Sequence, residues 1–76
     1  MEEKFIELFK ETLELEDTEI TLSTIFRELE NWDSLTFLSV LAMIDEEYDV
    51  VIEGNNFREL VTIEDLINEI KKNTQA

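Results

Sequence analysis

Between Leu35 and Tyr48 the apolar residues Leu35, Phe37, Leu38, Val40, Leu41, Ala42, Ile44 and Tyr48 recur at helical spacing and cover more than one side of a helix. No other stretch limits the fold so strongly. A helix apolar on several sides must be wrapped by its neighbours, so this one is expected to be the most buried element. Asp33 or Ser34 serves as its N-cap, and it ends near Asp49. Its exposed strip is expected to carry Thr36, Ser39, Met43, Asp45, Glu46 and Glu47.

The covering elements are also helical. Residues 3–15 place Phe5, Ile6, Leu8, Phe9, Leu13 and Leu15 at spacings of three and four among Glu and Lys, a helix with one buried stripe. The 17-residue connection from Glu16 to Trp32 is longer than most helix-to-helix links. Leu22, Ile25, Phe26 and Leu29 keep helical spacing within it, which predicts a packed-down loop with a short helical turn near Ser23 to Glu28. Val50, Val51 and Ile52 are too brief and isolated for a sheet, and Gly54-Asn55-Asn56 has turn chemistry before one short helix over Phe57 to Leu60. Thr62 and Asp65 then form a capping box, with Ile63, Leu66, Ile67 and Ile70 as the stripe of a last helix and Lys71 and Lys72 against its C-terminal dipole. The expected fold is all-α: a small bundle of three main helices plus one short helix, with a long first loop. With one glycine and no proline, nothing divides residues 1–76, so a single domain is expected.

Composition narrows the function. The chain has no histidine and no cysteine, hence no disulfide, none of the usual zinc ligands and no imidazole base. A metal-assisted or histidine-based hydrolase is excluded. No Asp-x-Asp-x-Asp-Gly calcium loop is present either, so no metal is expected. Twenty acids against six bases give a formal charge of −14, which argues against nucleic acid or an anionic membrane surface and for a basic protein surface as partner. Between Arg27 and Arg58 there is no other base, but there are eight acids: Glu28, Glu30, Asp33, Asp45, Glu46, Glu47, Asp49 and Glu53. No apolar run approaches the ~20 residues of a membrane span, and the opening MEEKFIEL is unlike a signal peptide. A soluble cytoplasmic protein is the expectation.

Ser34 is the one residue whose setting suggests covalent chemistry. A serine at a helix start is exposed and lies beside unpaired backbone N–H groups suited to a nearby phosphate. Serine also caps helices routinely, and on physics alone the plain cap is the simpler reading. Ser23 in the loop and Ser39 in mid-helix have neither feature.

Asp33-Ser34-Leu35, followed by an apolar helix ending in Asp45-Glu46-Glu47-Tyr48-Asp49 and then by Ile52, Phe57, Leu60 and Thr62-Ile63, resembles the acyl carrier protein family over most of the chain. The resemblance implies that Ser34 bears a 4′-phosphopantetheine arm taken from coenzyme A, with Asp33 and Leu35 completing the motif. It implies a carrier and not an enzyme: the thiol missing from the sequence arrives on the arm and holds an acyl or aminoacyl group as a thioester. The implied partners are a phosphopantetheinyl transferase and acyl-loading and acyl-transfer enzymes with basic docking surfaces, met by a monomer. Acids such as Asp45, Glu46, Glu47 and Asp49 are usually just a solvated helix end. Acids at a helix C-terminus nevertheless oppose its dipole and so need a reason, and partner docking supplies one of equal weight, which makes these four the candidate docking acids. Phe37, Leu41, Ile44, Tyr48 and Ile63 are core by default, and the family's parting core makes them candidate acyl lining. Trp32 is expected to pack at the rim of the helix start.

The sequence departs from the housekeeping fatty-acid carriers. Thr36 and Ser39 are neutral where acids are usual, and Gly54-Asn55-Asn56 with Arg58 replaces acids in the short third helix. Asn31-Trp32 stands where a small residue is often found, and the Trp-Asp-Ser-Leu form is similar to stand-alone carriers of specialised or surface-polysaccharide pathways. The Gly-Gly-x-Ser approach of peptidyl carriers is absent. Two rivals remain: an unmodified acidic helical interaction module, and an acidic decoy that fills a basic groove.

Overall fold

A computed structural model describes residues 2–30 and 32–74. Helices α1 (Glu2–Thr12), α2 (Ser34–Tyr48), α3 (Gly54–Phe57) and α4 (Ile63–Thr74) follow one another, with a single 3-10 turn at Phe26–Glu28 in the long first loop. Among the described residues there is no strand, only an isolated bridge between Ile25 and Thr62. The all-α expectation holds. The helices α1, α2 and α4 pack on one another around Phe5, Phe9, Val40, Ile44, Ile63, Leu66, Ile67 and Ile70, all of them buried. None of the described helices is long and apolar enough to cross a membrane.

The first helix ends at Thr12, not at residue 15. Glu14 takes a left-handed conformation with φ 55°, its N–H donates to the Glu11 carbonyl at 3.2 Å, and the Leu15 N–H reaches the Lys10 carbonyl at 2.8 Å. This pair of bonds closes the helix end by consuming its last carbonyls. Leu13 and Leu15 still pack against the core, so helical spacing continues in space after the helix has stopped.

The long loop lies down as expected, although its helical turn is shorter than residues 23–28. Phe26 and Ile20 are buried, with Leu22 and Leu29 packed against the same core. Its carbonyls also serve α4: the Thr24 carbonyl accepts from the Ile63 N–H, and the Leu22 carbonyl from the Glu64 N–H, both at 3.0 Å. Those are two of the N–H groups a helix start leaves unpaired. The capping box satisfies others. Asp65 donates its N–H to the Thr62 hydroxyl at 3.2 Å, while its carboxylate accepts from the Val61 and Thr62 N–H groups at 2.9 and 3.1 Å.

Three expectations about the middle of the chain need correction. The second helix is not the most buried element: α2 buries Val40, Met43 and Ile44, whereas α4 buries Ile63, Leu66, Ile67 and Ile70. Met43 is only 7% exposed and leaves the exposed strip, while Leu35 and Leu38, at 75% and 57%, join it. The cause is packing from one side: α1 and α4 pack on α2, and among the described residues Leu35 and Leu38 on its other side stay exposed. The third correction concerns Gly54-Asn55-Asn56, which opens α3 instead of preceding it, so that Phe57 closes the helix. A type I turn and a first helical turn share the same backbone region, so turn formers fit either. Phe57 is fully buried and anchors this short element.

Candidate functional site

At the start of α2 the cap role falls to Asp33 and not to Ser34. Asp33 is extended, with φ −153° and ψ −170°, and is the N-cap; its carboxylate accepts from the Thr36 N–H and from the Thr36 hydroxyl, each at 2.9 Å. Ser34 is therefore the first helical residue, exposed, and not the cap. The Thr36 N–H bond, then the Thr36 hydroxyl and the Leu35 N–H, hold the Asp33 carboxyl below its ordinary value of 3.8, so it is ionised at neutral pH. A carboxylate at this position also complements the positive end of α2.

Beside Ser34 lies an open depression of about 370 Å³. Its apolar wall is aromatic. Trp32 stacks on Phe57 with ring centroids 6.2 Å apart and planes 6° from parallel, and Phe37 meets Phe57 edge-on at 4.9 Å. Trp32 is half-buried and also packs on Phe26 at 5.1 Å, which bears out its expected place at the rim of the helix start. Asn31 lies outside the described residues. Arg27, Arg58, Asp33 and Gly54 line the rest of the depression, which thus holds two cations and one carboxylate. The Arg27 guanidinium donates to the carbonyls of Leu60 and Phe57 and lies over the Phe26 ring at 5.0 Å, so it ties the first loop to the end of α3. No local sequence signal points to this contact, because its partners lie 30 and 33 residues away.

The four candidate docking acids, Asp45, Glu46, Glu47 and Asp49, are all exposed. Asp49 has a structural role as well: it closes α2 in a left-handed conformation, with φ 56°, and its N–H donates to the Asp45 carbonyl at 2.9 Å. Glu46 and Glu47 border a shallow groove between α1 and α2, where Glu11 adds an acid that the sequence reading did not single out. At about 100° per residue, Asp45 lies about 20° from Ser34 around α2 and about 16 Å along it. Leu38, Ala42 and Leu35 fall on the same exposed side, so an apolar strip runs between the serine and the acids. Sequence periodicity missed that strip because it assigns every leucine of α2 to the interior.

The five candidate lining residues divide into two groups. Ile44 and Ile63 are fully buried, whereas Phe37, Leu41 and Tyr48 are half-buried against the core. Only Phe37 reaches the depression beside Ser34. Among the described residues the buried Tyr48 hydroxyl has no hydrogen-bond partner; burial, and then the Glu47 charge, push its pKa above 10.0.

Comparison with known proteins matches residues 3–70 to the family described as phosphopantetheine attachment site. The chain is similar to the acyl carrier protein of Borrelia garinii subsp. bavariensis, at 35% identity over 65 residues, covering 86% of this chain and 81% of the relative. It is similar also to the acyl carrier protein of Phytoplasma australiense, at 34% identity over 71 residues and 93% of both chains. The acyl carrier protein of Petrotoga mobilis is 29% identical over 66 residues, 87% of this chain and 78% of the relative.

Proposed function

This chain belongs to the acyl carrier protein family, and from that premise we propose that Ser34 bears the family's covalent 4′-phosphopantetheine and that the domain presents it to successive enzymes. The observation that carries the assignment is the division of roles at the start of α2. Asp33 takes the cap, which leaves the Ser34 hydroxyl exposed at the first helical residue. With coenzyme A as donor, the Ser34 oxygen would form a phosphodiester to the arm's phosphorus while the pyrophosphate P–O bond of coenzyme A breaks, the hydroxyl proton is given up and adenosine 3′,5′-bisphosphate leaves. Once attached, the group supplies the thiol that a cysteine-free chain lacks and holds an acyl or aminoacyl group as a thioester.

The chain's own residues position and deliver. Asp33 fixes the first turn of α2, Leu35 and Leu38 offer apolar contact next to the arm, and Asp45, Glu46, Glu47 and Asp49 supply the field that attracts basic partner surfaces. A carrier has to be released after each transfer, and charge steering with a small apolar contact gives fast association without a long residence time. Phe37, Leu41 and Tyr48, with Ile44 and Ile63 behind them, are the residues that would meet an acyl chain entering the core. The partnerless Tyr48 hydroxyl supports an opening there, since a buried unpaired hydroxyl weakens the packing around it.

Incubation with coenzyme A and a phosphopantetheinyl transferase tests the reading by intact mass. A carrier gains one arm. No gain with a transferase active on a control carrier would return the chain to the reading of an unmodified acidic interaction module.

A further inference from the structure

Both arginines of this chain line the depression onto which Ser34 opens, although the chain holds only six bases against 20 acids. We infer that Arg58, with the aromatic wall of Trp32, Phe37 and Phe57, forms a resting seat on the protein for the arm attached at Ser34. The inference rests on the attachment reading and adds to it a second, non-covalent hold.

The arm is a phosphodiester followed by a gem-dimethyl carbon and then two amides and a thiol. Its chemistry fits the kinds of group that line the depression: an anion can meet a guanidinium, and a bulky apolar carbon can meet the three aromatic rings. The two arginines differ in what they have left to give. Arg27 is committed to the Phe57 and Leu60 carbonyls and to the Phe26 ring, so it holds the wall in place. Arg58 is exposed, and among the described residues its guanidinium has no partner. An unpaired guanidinium that lines the same depression as a serine that becomes a phosphodiester can offer it an ion contact. A volume of about 370 Å³ lies in the range of small-molecule sites. Its open mouth suits a seat that must release the arm to each enzyme. The ionised Asp33 carboxylate lines the same depression and opposes an anion there, so the two arginines are what could offset it.

Trp32 is the only tryptophan, so its fluorescence reports on the seat. Unmodified and modified protein are compared by intact mass and by acrylamide quenching of Trp32; acrylamide is neutral and does not respond to charge. Modification is expected to protect Trp32 from quenching. Arg58→Glu, at an exposed site, is expected to accept the arm in full by mass and to lower the ratio of seated to free arm about two- to fivefold, the scale of one surface ion contact. Arg58→Lys should restore most of the protection. No mass gain overturns the attachment reading and the seat with it. A full mass gain with unchanged Trp32 quenching, or protection that Arg58→Glu leaves intact, overturns the seat alone.

Discussion

The Asp33 carboxylate accepts two hydrogen bonds of 2.9 Å from Thr36, one from its N–H and one from its hydroxyl. That arrangement makes Asp33 a helix cap and sets its neighbour Ser34 free for other chemistry. The acid of the Asp-Ser-Leu motif thus has a structural reason that needs no partner enzyme. Asp33→Ala is expected to lower the thermal midpoint while Asp33→Asn, which still caps, retains most of it. Equal losses from both variants would point to the charge and away from the cap.

Acid should weaken the two caps of this fold. Asp33 and Asp65 both titrate below 3.8 in the folded chain, Asp65 chiefly through the Val61 and Thr62 N–H groups. A carboxyl with a depressed folded value stabilises the fold above its unfolded value, and that stabilisation is lost as pH falls through the folded value. Asp65→Ala should cost about 1 kcal/mol near neutral pH. The gap to the unaltered protein should narrow below about pH 4. A gap that stays constant into acid would mean that the cap works without its charge.

Tyr48→Phe removes a buried hydroxyl that has no partner among the described residues. Denaturant unfolding is expected to show a gain of up to about 1 kcal/mol, since an unpaired buried polar group costs about that much or more. A clear loss would reveal a partner for the hydroxyl in solution.

Gly54 sits at the first position of α3 without a positive φ, and a Cβ there would meet nothing within 4 Å. Its glycine is not required by the backbone. Gly54→Ala should raise stability by about 0.4–1 kcal/mol, mostly by restricting the unfolded chain. A loss would show that the start of α3 moves through conformations closed to alanine.

How far the sequence could be read depended on whether a feature was local. The Thr62 to Asp65 capping box and the Ile63, Leu66, Ile67 and Ile70 stripe were legible, because their partners lie within a few residues. The placement of Leu35 and Leu38 was not, since apolar periodicity cannot tell a covered side of α2 from one that the small bundle leaves open. Choosing between Asp33 and Ser34 as cap required the backbone angles. Arg27 was invisible for another reason: its contacts with Phe57 and Leu60 exist only once the loop has folded over α3.

The docking proposal separates local field from net charge. Reversing Glu46 and Glu47 to Lys should slow arm transfer mainly through the association rate and flatten its salt dependence. Reversing Glu2 and Glu3 changes net charge equally from the first turn of α1 and should do much less. Leu38→Ser, at an exposed site, should leave stability within about 0.5 kcal/mol while also lowering transfer. Equal losses from the two Glu pairs would leave only a net-charge effect, and no loss from Glu46 and Glu47 would remove that patch from the mechanism.

The most direct test of the central claim is to locate the arm by fragmenting the modified protein in a mass spectrometer, alongside a Ser34→Ala variant whose helicity has been checked by circular dichroism. The account predicts one arm per chain, carried on the peptide at Ser34, and no gain in the folded variant. An arm found on Ser23 or Ser39, or one still added to Ser34→Ala, would contradict it.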